Sequence, residues 1–182
     1  MEQKDYKMEI VGELLKGKNH VRGLAKAINT NHMNISRKIK ELSKQNIVDF
    51  KLEGKNKTYF LKKTIEARTY ILMFESYRLL RILEKYVILR SIIEKIQSNE
   101  KIKIAVLFGS YAKSNIKQDS DIDVYIETKD RKLKQELEKT NSKLSIKVGE
   151  FDKDNLLIKE IIKNHIILKG VEEYYGKVKF FS

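Results

Sequence analysis

Cysteine and proline are absent from this 182-residue chain, and glycine occurs only 8 times. Without cysteine there is no disulfide and no thiolate metal site, a composition that fits a reducing compartment. No apolar stretch approaches the ~20 uninterrupted residues of a membrane span, so no membrane partner is expected. The start of the chain, Met1-Glu2-Gln3-Lys4-Asp5-Tyr6-Lys7, lacks the apolar core of a signal peptide. The expected location is therefore cytoplasmic. Hydrophobic residues make up 41% and charged residues 35%, the balance of a folded chain rather than a disordered one. The length allows one large domain or two small ones, each able to bury a core.

The net charge of +13 is unevenly spread. Residues 1–63 carry 15 Lys/Arg against 7 Asp/Glu, a balance of +8, whereas residues 101–182 carry 17 against 13. An excess concentrated in the first third is the footprint of a nucleic-acid-binding module. The pattern there supports one. Met8, Val11, Leu14 and Leu15 recur at helical spacing over Asp5 to Lys16, and Gly17-Lys18-Asn19 breaks the run. A short helix at Val21–Ile28, a turn at Asn29-Thr30-Asn31, and a third helix from Met33 to Gln45 follow. Two β-prone runs, Ile47–Leu52 and Thr58–Leu61, flank a basic hairpin tip at Gly54–Lys57.

This order of three helices and a hairpin resembles a winged helix-turn-helix domain over residues 4–62. In such domains the third helix enters the major groove and the wing meets the DNA backbone. The resemblance makes Asn31, His32, Asn34, Arg37, Lys38 and Lys40, with Lys55, Asn56 and Lys57 of the wing, the candidate contacts to double-stranded DNA. Arg and Asn suit bidentate base contacts, and lysines suit phosphates. Protein binding is the alternative use of such a module.

From Thr64 to Ser98 there is neither glycine nor proline. One helix of that length would run about 50 Å, so a break into two is expected. Leu79, Ile82, Leu83, Tyr86, Leu89, Ile93 and Ile96 form one apolar stripe. Tyr70, Ile71, Met73, Phe74 and Tyr77 add more apolar surface than a small domain needs, which points to a homodimer on a two-fold site, with burial of both faces within the chain as the alternative. Beyond Lys101 the pattern alternates. Strands are expected at Ile102–Phe108, Ile122–Glu127, Leu144–Phe151 and His165–Lys169, with helices at Arg131–Thr140 and Asp154–Lys163. The histidines His20, His32 and His165 are isolated and have no metal-ligand spacing. Tyr174-Tyr175 reads as a surface stacking pair.

The most informative segment is Val106 to Ile126. An apolar run ends in Gly109-Ser110, ten residues intervene, and Asp121-Ile122-Asp123 opens a strand with Ile122, Val124 and Ile126 on one face. Alternation then puts both aspartates together on the other face. Hard carboxylate oxygens at that spacing, beside a glycine-serine turn, suit a divalent ion carrying a polyphosphate.

The segment resembles the signature of the DNA polymerase beta-like nucleotidyltransferase superfamily, in particular its minimal members. Gly109, Ser110, Asp121 and Asp123 occupy the signature places, and Ala112 matches the small residue two positions after the serine. The resemblance covers roughly residues 79–175. It implies Mg²⁺ held by Asp121 and Asp123 and a nucleoside triphosphate (ATP is the expectation) bound by Gly109, Ser110 and Tyr111. Lys113 and Lys117 in the loop read as solvated lysines, with an added charge on the triphosphate as the alternative. Two departures stand out. Ser114 sits where a glycine is common, and the third catalytic carboxylate expected on Leu144–Phe151 has only Glu150 as its nearest candidate, then Asp152. Glu150 shares the aspartates' face only if a bulge at Gly149 shifts the register.

The expected fold class is α+β. A winged helix-turn-helix domain (1–63) and a helical connector (64–78) precede a polymerase beta-like nucleotidyltransferase α/β domain with a small mixed sheet (79–182). The expected function is transfer of a nucleoside monophosphate, AMP first, to an acceptor. That acceptor is a protein, as in antitoxins that modify a partner toxin, a small molecule or an RNA end. The alternative is a transcriptional regulator that senses nucleotide without catalysis.

Overall fold

The computed structural model describes residues 4–113, 115–117 and 119–180, so Ser114, expected to alter the loop, lies outside the described residues. The chain divides into two compact units, Met1–Tyr77 and Arg78–Ser182.

In the first unit, helix α1 (Tyr6–Lys16) begins at Asp5, whose carboxylate accepts from the N–H groups of Lys7 and Met8 and so satisfies two of the donors every helix start leaves open. Strand β1 (Asn19–His20) leads into α2 (Val21–Ile28), which stops at Asn29 in the left-handed conformation. Helix α3 (His32–Lys44) is capped by Asn31, whose side chain accepts from Asn34 N–H at 2.8 Å. Strands β2 (Val48–Glu53) and β3 (Asn56–Leu61) form a hairpin, and the antiparallel sheet has the order β1-β3-β2. Its two-residue turn starts at Gly54, with φ +62°, the conformation that tight hairpins with matching twist require. Ile10, Val11, Leu24, Ile28, Ile35, Ile39, Leu42 and Ile47 are all buried. Helix-strand-helix-helix-strand-strand with a projecting hairpin is a winged helix-turn-helix.

Helix α4 (Ile65–Lys85) runs across the division between the units, and α5 (Leu89–Ser98) follows after a break at residues 86–88. The break falls where Tyr86, Val87 and Ile88, all restricted in a helix, come together. Tyr86 packs edge-on against Tyr111, ring centroids 5.3 Å apart.

The second unit is built on a four-stranded mixed sheet, order β6-β5-β4-β7. Its strands are β4 (Ala105–Phe108), β5 (Ile122–Glu127), β6 (Leu144–Gly149) and β7 (Ile166–Lys169). β5 and β6 are parallel and the other pairs antiparallel. One sheet face, carrying Ala105, Leu107, Ile122, Val124, Ile126 and Ile146, packs into a single core with α5 and with Leu133 and Leu137 of α7 (Arg131–Glu138). On the opposite face Tyr125 meets Phe151 edge-on, and Phe151 meets Tyr174 of α9 (Val171–Lys177). Tyr174 and Tyr175 are therefore not a surface pair: they are 1% and 5% exposed. The helix that carries them had no legible periodicity, and it turns both rings inward. A one-turn helix α6 (Gly109–Ala112) follows β4, and α8 (Leu156–Lys163) precedes β7.

Candidate functional site

β4 ends at Phe108, which pairs directly with Asp123 of β5. The chain then turns at Gly109 with φ +68°, and a Cβ there would overlap the Asp123 carboxylate. Only glycine tolerates both the backbone angle and that approach. The turn and the aspartate are thus built against one another. Asp121 stands just before β5, two residues from Asp123 and on the same side of the strand, since the intervening Ile122 is fully buried on the other.

The charges around Asp123 define the site. Burial is the largest influence raising its pKa, and the Asp121 and Glu160 carboxylates add to it. Lys147 and a hydrogen bond with Ser145 oppose the shift. Two of these neighbours follow from register. β5 and β6 are parallel, Asp123 pairs with Ser145, and Tyr125 pairs with Lys147, so both β6 residues lie on the aspartates' face. Glu160 comes from α8. Its carboxylate sits 2.8 Å from the Lys113 ammonium, which holds it below the usual carboxylate range.

Glu150 is elsewhere. The β5–β6 pairing runs without a shift from Ile122↔Leu144 to Glu127↔Gly149, so the bulge that would have turned Glu150 toward the aspartates is absent. Gly149 lies four rungs beyond the Asp123–Ser145 pair, about 13 Å along the strand. Glu150 there pairs with Lys129 at 2.6 Å and is 72% exposed. Asp152 lies further along the chain still. At the same end of the face, Glu127 binds Lys177 at 2.7 Å. The place expected for a third carboxylate is therefore taken by Ser145 and Lys147. Among the described residues no three His, Cys, Asp or Glu side chains converge to hold a metal ion. Two carboxylates fit one Mg²⁺ that arrives with phosphate oxygens and waters, its usual coordination. They do not supply the donor set for two ions.

In the first unit, α3 turns Ile35, Ile39 and Leu42 inward, so Met33, Arg37, Lys40 and Lys44 form the opposite stripe at helical spacing. His32, Arg37 and Lys40 are exposed, as are Lys55, Asn56 and Lys57 of the wing. Lys57 rests its ammonium over the Phe50 ring, 4.1 Å from the centroid. The other three candidates are engaged locally. The Asn31 side chain caps α3, and Asn34 binds Thr30 and receives a hydrogen bond from Arg37. Lys38 shares the Glu41 carboxylate with Lys7. Lys44 and Met33, 73% exposed, join the outer stripe. The helical spacing of Met33 with Arg37 and Lys40 was the signal for both.

Among the described residues no helix is long and apolar enough to cross a membrane. Residues 90–173 match the family model described as polymerase beta, nucleotidyltransferase. The turn at Gly109-Ser110 and both aspartates fall inside that span. This part of the chain, slightly less than half of it, is thus similar to nucleotidyltransferase domains of the polymerase beta type. Its relatives generally use nucleoside triphosphates and Mg²⁺. No curated protein matches the chain. Similar solved structures include the transcriptional repressor BigR from Xylella fastidiosa, at 18% identity, 43% of this chain, 77% of that one and a TM-score of 0.38. Reduced HlyU from Vibrio cholerae is similar at 19% identity, 41% of this chain, 78% of that one and a TM-score of 0.36. So is the homodimeric winged helix-turn-helix DNA-binding domain Mb0332 from Mycobacterium bovis, at 18% identity, 44% and 70% coverage and a TM-score of 0.35. The winged-helix character of the first unit rests on its own element order and strand pairing.

Proposed function

We propose that this protein is a cytoplasmic DNA-binding regulator whose nucleotidyltransferase domain binds a magnesium nucleoside triphosphate, ATP first, without transferring it. The observation that carries this reading is the occupancy of β6. Ser145 pairs with Asp123, and Lys147 stands next on the same face. A two-metal transfer needs a further carboxylate beside Asp123 to activate the acceptor, and a lysine there opposes a second cation. Binding needs less. Asp121 and Asp123 would hold the ion, with Ser110 and the backbone N–H groups of Ser110 and Tyr111 on the phosphates. The ion's part is to neutralise phosphate charge.

DNA binding is supported by the basic balance of residues 1–63 and by the outer stripe of α3, which sets Arg37, Lys40 and Lys44 where a major groove would meet them. Pairing of two copies is supported by α4. Ile65, Met73 and Leu80 recur eight and seven residues apart and remain exposed, the spacing of a helix-helix seam.

A second reading keeps catalysis: AMP transfer to an acceptor, such as a partner protein of the toxin kind. One observation favours it, the Glu160 carboxylate within electrostatic reach of Asp123. Calorimetry of the full chain with Mg²⁺-ATP tests the shared core of both readings. Binding is expected, and the Asp121→Ala, Asp123→Ala double variant should abolish it. Undiminished binding in that variant would remove the site assignment.

A further inference from the structure

Lys113 caps the C-terminal end of α6, one turn after Gly109-Ser110, and its ammonium is held by Glu160 of α8 at 2.8 Å. Both side chains are about half exposed, so the pair is accessible to a ligand. Glu160 also belongs to the group of charges that act on Asp123. The acid that holds Lys113 is therefore part of the neighbourhood of the two aspartates, not a remote surface charge.

That arrangement sets up a competition. Asp121, Asp123 and Glu160 repel an incoming polyphosphate, while Lys113 and Lys147 attract it. A lysine ammonium is a compact point charge on a flexible stem, able to change acceptors without backbone movement. Lys113 is bound to one carboxylate, that of Glu160. A nucleoside triphosphate offers it several phosphate oxygens of higher charge, and Lys163, which also acts on Glu160, stays as a cation beside the acid that Lys113 leaves.

We propose that the Lys113–Glu160 pair is an internal competitor for polyphosphate: Lys113 moves from Glu160 to the phosphates of a bound nucleoside triphosphate, and Glu160 sets how tightly that ligand binds. The proposal rests on the reading of the Gly109–Asp123 site as a nucleotide site. It assigns Lys113 to ligand binding and Glu160 to tuning affinity, with neither acting on the bond chemistry.

The test is calorimetry on the full chain with Mg²⁺ and α,β-methylene-ATP, accompanied by thermal melts to show that the variants fold. Glu160→Gln should tighten binding by about two- to fivefold, the range that an exposed ion pair supplies. Lys113→Met should weaken it by a similar factor. In the Lys113→Met background the Glu160→Gln change should have a clearly smaller effect, because only the direct repulsion between Glu160 and the phosphates is then relieved. Weaker binding in Glu160→Gln would overturn the proposal and make Glu160 a ligand for the ion. An equal gain with and without Lys113 would overturn it too, leaving only a general repulsive field. Failure of the nucleotide-site reading looks different. In that case the wild-type chain does not bind, or the Asp121→Ala, Asp123→Ala variant binds unchanged.

Discussion

The two units carry their chemistry in different ways. In the winged-helix unit the candidate contacts are spread over one helix face and a hairpin, and several of them also serve the fold: Asn31 caps α3, and Lys38 is tied to Glu41. In the transferase unit everything converges on one turn and one strand edge, where Gly109 and Asp123 leave each other no slack. A surface of the first kind tolerates single losses, because phosphate contacts add one by one. A site of the second kind fails at once when its turn is disturbed. The difference also separates what each is suited to, since a dispersed basic face matches a long polyanion and a compact carboxylate pair matches one ion and its phosphates.

Gly109→Ala attacks the concentrated site directly and should have the largest effect. A methyl group at φ +68° that overlaps Asp123 should destabilise the fold by about 2–4 kcal/mol, read by denaturant titration, and should eliminate nucleotide binding as well. A stable Gly109→Ala variant with normal affinity would dissolve the contrast between the units. On the dispersed side, Arg37→Ala should cost about 1–3 kcal/mol on a specific duplex, while Lys57→Ala should weaken all sequences alike and reduce the salt slope by about one. Fluorescence anisotropy against salt concentration separates the two.

His165 sharpens the comparison through pH. It is buried, with Nε2 unpartnered among the described residues, and burial, then the Arg78 charge, push its pKa down to about 3. The unfolded chain binds the proton more readily than the folded one. The second unit should therefore hold its full stability above about pH 6.5 and lose up to about 1.4 kcal/mol per pH unit as the pH falls below that. Thermal melts from pH 7 to pH 4.5 would show the slope, and His165→Phe should flatten it. The smallest effect is expected at Lys38→Ala, which should change DNA affinity by no more than about 0.5 kcal/mol, because Glu41 already claims its ammonium.

Much of this arrangement was legible before the structure. Hydrophobic period picked out α1 and α3, the length of the run 64–98 called for a break without placing it between α4 and α5, and the Gly109–Asp123 spacing located the turn and the aspartates. What escaped was set by long-range pairing. β1 is two residues long and exists only because β3, far along the chain, pairs with it. The inward turn of Tyr174 and Tyr175 depends on α9 lying against the aromatic face of the sheet. Glu150 was the nearest acid in sequence, but the parallel register of β5 and β6 put it at the wrong end of the face. Glu160 gave no sign at all, because nothing local in α8 reveals which strand edge the helix crosses.

The central claim, that the site holds a nucleoside triphosphate intact, is tested most directly by incubating the full chain with Mg²⁺ and α-³²P-labelled ATP. The label is then partitioned between free, reversibly bound and covalently attached forms while pyrophosphate is assayed. The account predicts reversible binding of unaltered ATP, lost in the Asp121→Ala, Asp123→Ala variant, with no pyrophosphate released. Pyrophosphate release or covalent label that depends on those two aspartates would contradict it and show the domain to be a working transferase.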